Sequence, residues 1–271
     1  FGVGLCGEDM NLLAAQRRAS ISSLVSKRGA ITISELAEQL QVSEMTVRRD
    51  IDSLEGDGLV RRVHGGVTST DFRATTAELP FTENLNKRAE AKAAIAKEAV
   101  RLVKPGDSLA LLGGSTVYSL AQELLSVANL TIVTNSIPIS NLFMSQQQAN
   151  TNSVYVSGGT PTPTDSLIGN LAVSAFGQFN FDVVFMGSLG MDLEAGFSAP
   201  SLVEAETNRA IMLKGKLTAL LVDNSKWGVK GFSSFAKLSE ADVLVTDAGL
   251  GESAREELKS KVGRLLVAGE R

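Results

Sequence analysis

Ile33-Ser-Glu-Leu-Ala-Glu-Gln-Leu-Gln-Val-Ser-Glu-Met-Thr-Val-Arg-Arg-Asp-Ile-Asp-Ser-Leu-Glu55 decides the fold of the first part of this chain. Thr32, just before it, stands three residues ahead of Glu35, the spacing of a capping box. Leu36, Ala37 and Leu40 then make the buried stripe of a short helix over 34–40. Gln41-Val42-Ser43 is a tight turn, and Ser43 is placed to N-cap a further helix over 44–55. In that helix Val47, Ile51 and Leu54 recur at i, i+4 and i+7 and face inward, which leaves Met45, Thr46, Arg48, Arg49 and Asp52 outward or flanking.

Working outward, Ile21, Leu24 and Val25 give one apolar face to a helix over 17–28, which Gly29 ends. On the other side Gly56-Asp57-Gly58 stops the third helix. Two short β-favouring runs, 59–63 and 67–69, then flank His64-Gly65-Gly66 and predict a hairpin carrying Arg61 and Arg62. A short helix, a tight turn and a helix with arginines in its N-terminal half suit a DNA major groove. An arginine bidentate to guanine is worth about 1–3 kcal/mol of base discrimination. The expected DNA contacts are therefore Ser43, Thr46, Arg48, Arg49, Arg61, Arg62, His64 and Gly65.

Overall charge gives this reading no help. The 271 residues carry a formal net charge of −4, and positions 11–70 are nearly balanced, so any DNA affinity rests on local clustering. Cys6 is the one cysteine, which excludes an intramolecular disulfide framework and a cysteine-based zinc cluster and fits a cytoplasmic setting. No apolar run approaches the roughly 20 residues of a membrane span. Positions 1–7 read as a leader, with recognisable patterning only after Met10.

Positions 71–82 are polar, contain Pro80 and read as a linker. A long helix is predicted over 84–103. Strands at 108–112, 130–134, 154–157, 183–186, 219–222, 243–246 and 265–267 follow, alternating with helices at 117–125, 137–147, 168–179, 202–213 and 252–261. Apolar strands separated by helices predict a mostly parallel sheet covered on both faces, whose ligands bind at the C-terminal strand ends. Gly114-Ser115-Thr116, Asn135, Gly158-Gly159, Gly190 and Lys226 lie at such ends and are the expected effector-binding residues. Glycine amides opening a helix hold phosphate well, and Lys226 adds a cation. A P-loop is absent and no GxGxxG follows the first strand, so no nucleotide or other cofactor is expected.

The 33–55 stretch, followed by Gly58-Leu-Val-Arg-Arg-Val-His-Gly-Gly66, closely resembles the DeoR-type helix-turn-helix signature. The rest resembles the DeoR sensor domain, whose fold is similar to ribose-5-phosphate isomerase. The matching residues are Arg88 and Lys92, Gly114-Ser-Thr116, Val133-Thr-Asn-Ser136, Gly158-Gly159, Ser166 with Gly169, Gly190 with Gly196, Glu204-Ala205, Arg209, Asp223-Asn-Ser-Lys226 and Thr246-Asp247. The resemblance covers roughly residues 15–268. It implies a winged helix-turn-helix domain (11–70), a linker (71–82) and a larger α/β effector-sensing and oligomerisation domain with a mostly parallel sheet (83–271). The implied partners are double-stranded operator DNA, a phosphorylated sugar and further copies of the chain.

Two positions depart from the family pattern: Leu112 stands where an aspartate is usual, and Asn208 where a lysine is frequent. Two rival readings follow. A ligand-independent regulator with a degenerate pocket is the reading Leu112 favours. A sugar-phosphate isomerase would need clustered acids, of which Gly187-Ser-Leu-Gly-Met-Asp192 keeps only Asp192.

Overall fold

The structure, a computed structural model, describes residues 8–28, 30–63, 66–69, 79–146 and 151–269. His64, Gly65, positions 1–7 and linker positions 71–78 lie outside the described residues. The chain divides into two compact units, one of residues 1–74 with 201–203, the other of residues 75–200 with 204–271.

The first unit runs α1 (Glu8–Arg28), β1 (Ala30–Thr32), α2 (Ile33–Leu40), α3 (Glu44–Gly56), β2 (Val60–Val63) and β3 (Gly66–Ser69). The capping box forms: Thr32 Oγ1 accepts from the Glu35 amide at 3.1 Å, and Glu35 Oε2 accepts from the Thr32 amide at 3.3 Å. Gln41 closes α2 in the left-handed region with φ 54°, and Ser43 opens α3. Ile21, Val25, Leu36, Val47, Ile51 and Leu54 make the core, as their spacing predicts, whereas Ala37 and Leu40 are only partly buried against it. One element departs from expectation. Ile31 is fully buried and pairs with Val67, so the three residues of β1 join the hairpin in an antiparallel sheet ordered β1-β3-β2. Also, α1 begins at Glu8, before the point where patterning becomes recognisable.

The second unit opens with α4 (Phe81–Asn86) and α5 (Ala89–Ala99), then β4 (Ser108–Leu111), α6 (Ser115–Leu124), β5 (Thr131–Thr134), α7 (Ile137–Met144) and β6 (Ser153–Val156). A short hairpin, β7 (Thr160–Pro161) and β8 (Leu167–Ile168), leads to α8 (Asn170–Gly177), β9 (Phe181–Met186), β10 (Gly190–Asp192), β11 (Gly196–Ala199) and α9 (Leu202–Met212). The chain ends on β12 (Gly215–Leu221), β13 (Ser233–Ala236), β14 (Val243–Asp247), α10 (Glu252–Lys259) and β15 (Leu265–Ala268).

All seven predicted strands of this region join one parallel sheet, ordered β15-β14-β12-β9-β4-β5-β6. Alternate residues feed two apolar layers: Ala110, Val184, Leu220 and Leu244 on one face, Leu109, Val183, Ala219 and Val243 on the other. From β4 the chain steps outward through β5 and β6, then returns to β9 on the other side of β4. The crevice between β4 and β9 is therefore the topological switch point, where ligands of such sheets bind.

The expected 84–103 helix is interrupted. Arg88 adopts a left-handed conformation, φ 54°, between α4 and α5, and a 3-10 turn over Val100–Leu102 closes α5. The linker ends earlier than expected, because Phe81 starts α4 and packs edge-to-face on Tyr118 with ring centroids 5.2 Å apart. The small antiparallel sheet β10-β11-β13 has no sequence expectation behind it. Its strands are three or four residues long, too short to display a period.

Candidate functional site

In the first unit the exposed end of α3 carries the expected contacts. Ser43 Oγ accepts from the Thr46 amide at 3.2 Å and shares a 2.9 Å hydrogen bond with Thr46 Oγ1, so capping fixes both residues at the helix start. Arg48 makes a loose i,i+4 pair with Glu44 at 3.4 Å. Arg49 and Arg61 are exposed and have no ion pair among the described residues. Arg62 differs. Its guanidinium donates to Asp52 at 2.6 Å and its amide to Glu55 Oε1 at 2.8 Å, so it also ties β2 to α3 through an exposed pair.

Asp50 is not among the expected DNA contacts; it is 4% exposed and holds Arg17 of α1 through both carboxylate oxygens, one at 3.1 Å. The hydrogen bond that Arg17 donates to Asp50 raises the Arg17 pKa above its usual value. Position 50 lies three residues after Val47 and beside Ile51, so the same helical period that buries those residues marks it.

In the second unit a cavity of about 570 Å³ opens over the C-terminal ends of β4, β5, β9 and β12. Five of the eight expected effector residues line it: Gly114, Ser115, Thr116, Asn135 and Lys226. Gly114 N-caps α6 at φ 131° and no side chain caps that helix, so its first amides keep their hydrogen-bonding capacity beside the cavity. Asn135, besides lining the cavity, braces the glycine turn. Its Oδ1 accepts from the Gly113 amide at 2.8 Å and its Nδ2 donates to the Leu167 carbonyl at 3.0 Å, which holds the glycine turn in place.

Gly158, Gly159 and Gly190 do not line the cavity, and close packing explains the small size of Gly159 and Gly190. A Cβ at Gly159 would fall 2.7 Å from the Ile168 carbonyl oxygen, and one at Gly190 2.2 Å from that of Val229. At Gly158 a Cβ would merely touch Leu171.

Four cations line the cavity, Lys87, Arg88, Lys92 and Lys226, against two carboxylates, Glu204 and Asp223. Lys92 is 4% exposed and donates from Nζ to the Asn84 carbonyl. Burial lowers its pKa, Asp223 opposes that shift and Lys226 adds to it. Arg88 donates to Asn224 Oδ1 and lies 3.8 Å from Asp223. Lys226 has no ion pair among the described residues. Leu112, Met186, Leu221 and Val222 form an apolar floor. An anion with a partly apolar body matches this lining. Among the described residues no cluster of three or more metal-ligating side chains occurs, and no helix is long and apolar enough to cross a membrane.

Comparison with known proteins is consistent across both units. Residues 17–73 match the DeoR-like helix-turn-helix domain and residues 87–248 the DeoR C terminal sensor domain. A lactose phosphotransferase system repressor of Streptococcus mutans is 35% identical over 233 residues, covering 86% of this chain and 91% of its own. The HTH-type transcriptional regulator GlpR of Haloferax volcanii is 32% identical over 250 residues, covering 92% and 96%. Among solved structures, ribose 5-phosphate isomerase A of Methanocaldococcus jannaschii aligns at 18% identity and a TM-score of 0.39, covering 52% of this chain and 55% of that one. With both domain matches in their expected order and relatives aligned over nearly their whole length, this chain belongs to the DeoR family of DNA-binding transcriptional regulators.

Proposed function

We propose that this regulator is a repressor of carbohydrate-metabolism genes whose hold on operator DNA is set by a phosphorylated sugar in the second unit's cavity. The observation that carries the reading is the cationic cavity beside the uncapped start of α6, at the sheet's switch point. A volume of about 570 Å³ suits a small phosphorylated metabolite. Relatives named as repressors of a sugar phosphotransferase system support the same ligand class. In this reading residues 11–70 contact DNA, 71–82 connect and 83–271 sense, with α4 starting inside the connecting stretch. The protein works in the cytoplasm as a homo-oligomer, since operators read by helix-turn-helix proteins are commonly two-fold symmetric.

The cavity senses and does not catalyse. Asp192, the acid left from the isomerase-like loop, accepts from the Glu194 and Ala195 amides at 2.9 and 3.0 Å, pairs with Lys230 at 3.4 Å, and does not line the cavity. Leu112 argues for an unused pocket less strongly than it does from sequence alone, since the buried leucine floors a cavity that remains open. A thermal-shift series with triose, pentose and hexose phosphates tests the ligand, which must raise the melting temperature if it binds the native state. Lys226→Ala should abolish that shift and leave operator affinity unchanged. No shift with any phosphate in the series contradicts the proposal.

A further inference from the structure

We propose that residues 79–92 form the ligand-responsive wall of the cavity, with Lys92 as the positioning residue through which a bound anion grips α4. The inference rests on the sensor reading above and assigns the way occupancy of the cavity leaves it. Leu79, Phe81, Asn84, Lys87 and Arg88 all line the cavity, so a single continuous stretch supplies one side of it. That stretch is joined in sequence, through 71–78, to the DNA-reading unit.

Lys92 is the buried cation of this wall, and no carboxylate lies within ion-pair distance of it among the described residues. A buried ammonium is costly without a negative partner. Its Nζ has three donors, and the Asn84 carbonyl takes one of them. A phosphate arriving in the cavity takes another and places negative charge at hydrogen-bond distance, whereas Asp223 acts on Lys92 only from beyond ion-pair distance. The ammonium then bridges the anion and the Asn84 carbonyl, which fastens α4 onto the site. Asn84 passes the constraint on, because its own Nδ2 donates to the Leu79 carbonyl at 2.9 Å. Without the anion, opening of α4 rehydrates the buried Lys92 ammonium.

The fold also supplies a pivot. Arg88 adopts φ 54°, a left-handed conformation that is strained for a residue with a side chain, between α4 and α5. A change at that one residue swings α4 without disturbing α5, and hinge positions of this kind need only a few residues. The Arg88 guanidinium is itself held by Asn224, two residues before Lys226, so pivot and cavity share one wall.

Hydrogen exchange on the full chain tests this, using inorganic phosphate and the sugar phosphate that gives the largest thermal shift. At saturation the amides of 81–91 should exchange about tenfold more slowly. Lys92→Met, of similar volume, should lose that protection, and Lys92→Arg should restore it. Lys226→Met, which removes binding, should lose protection at 113–117 and at 81–91 together. Ligand protection at 113–117 without any at 81–91 overturns the inference, as does full protection in Lys92→Met. Absence of protection anywhere overturns the sensor reading itself.

Discussion

At the scale of single residues, the arginines proposed to contact DNA divide by what already holds them. Arg49 and Arg61 have no ion pair among the described residues, whereas Arg62 is engaged by Asp52 and Glu55. Arg49→Ala should therefore weaken specific operator binding by about 1–3 kcal/mol and relax sequence preference, as loss of a base contact does. Arg61→Ala should weaken binding to all sequences alike and reduce the salt slope by about 1, as loss of a phosphate contact does. Fluorescence anisotropy on matched operator and scrambled duplexes separates the two outcomes, and equal losses on both duplexes for Arg49→Ala would remove its reading role. Arg48 begins from an exposed pair with Glu44, worth only about 0.3–0.5 kcal/mol, so DNA displaces that pair at little cost.

At the scale of elements, two carboxylates fasten neighbours together. Asp50 joins α3 to α1 through Arg17, whose side chain is 21% exposed. Asp50→Ala strands that cation, and the cost should be about 2–3 kcal/mol, somewhat below the value for a fully buried pair. Urea unfolding measures it, and a loss under about 0.5 kcal/mol would show the pair to be dispensable. Asp182, at the start of β9, accepts from the Ser108 amide at 2.9 Å and its hydroxyl at 2.7 Å, and from Lys216 at 2.8 Å. The Lys216 hydrogen bond first, then those from Ser108, holds its pKa well below the usual carboxylate range. A depressed acid contributes stability above its unfolded pKa, near 3.9, and loses it as pH falls through the lower folded value. Asp182→Asn should thus cost about 1–2 kcal/mol at neutral pH, with the deficit closing in acid. A deficit independent of pH contradicts this cause. The central sheet strands were legible because burial on both faces makes β4, β9 and β14 continuous apolar runs, while the exposed edge strand β6 was legible from its β-branched and aromatic residues. The break at Arg88 was not, because Ala89-Glu-Ala-Lys-Ala-Ala-Ile-Ala-Lys-Glu-Ala99 continues the helical pattern past a non-glycine residue in the left-handed region. Gly114 and Gly190 look alike in sequence, yet one opens a helix at the cavity and the other admits the Val229 backbone. Sequence position alone does not separate these two demands for glycine.

At the scale of the whole molecule, regulation requires that the ligand prefer one state of the protein over another. A coupling of about 1–3 kcal/mol, or roughly 5–150-fold in DNA affinity, is the usual range for such linkage. In the proposed reading the cavity takes a phosphorylated sugar, and the response is read on the protein bound to its operator. The most direct measurement is the affinity of the full-length chain for its own upstream DNA, at fixed salt, with and without each phosphorylated sugar that raises its melting temperature. The account predicts a change of at least about fivefold with one such sugar, and none in Lys226→Ala. Identical affinities for the wild type, with every thermally stabilising sugar at saturation, would contradict it.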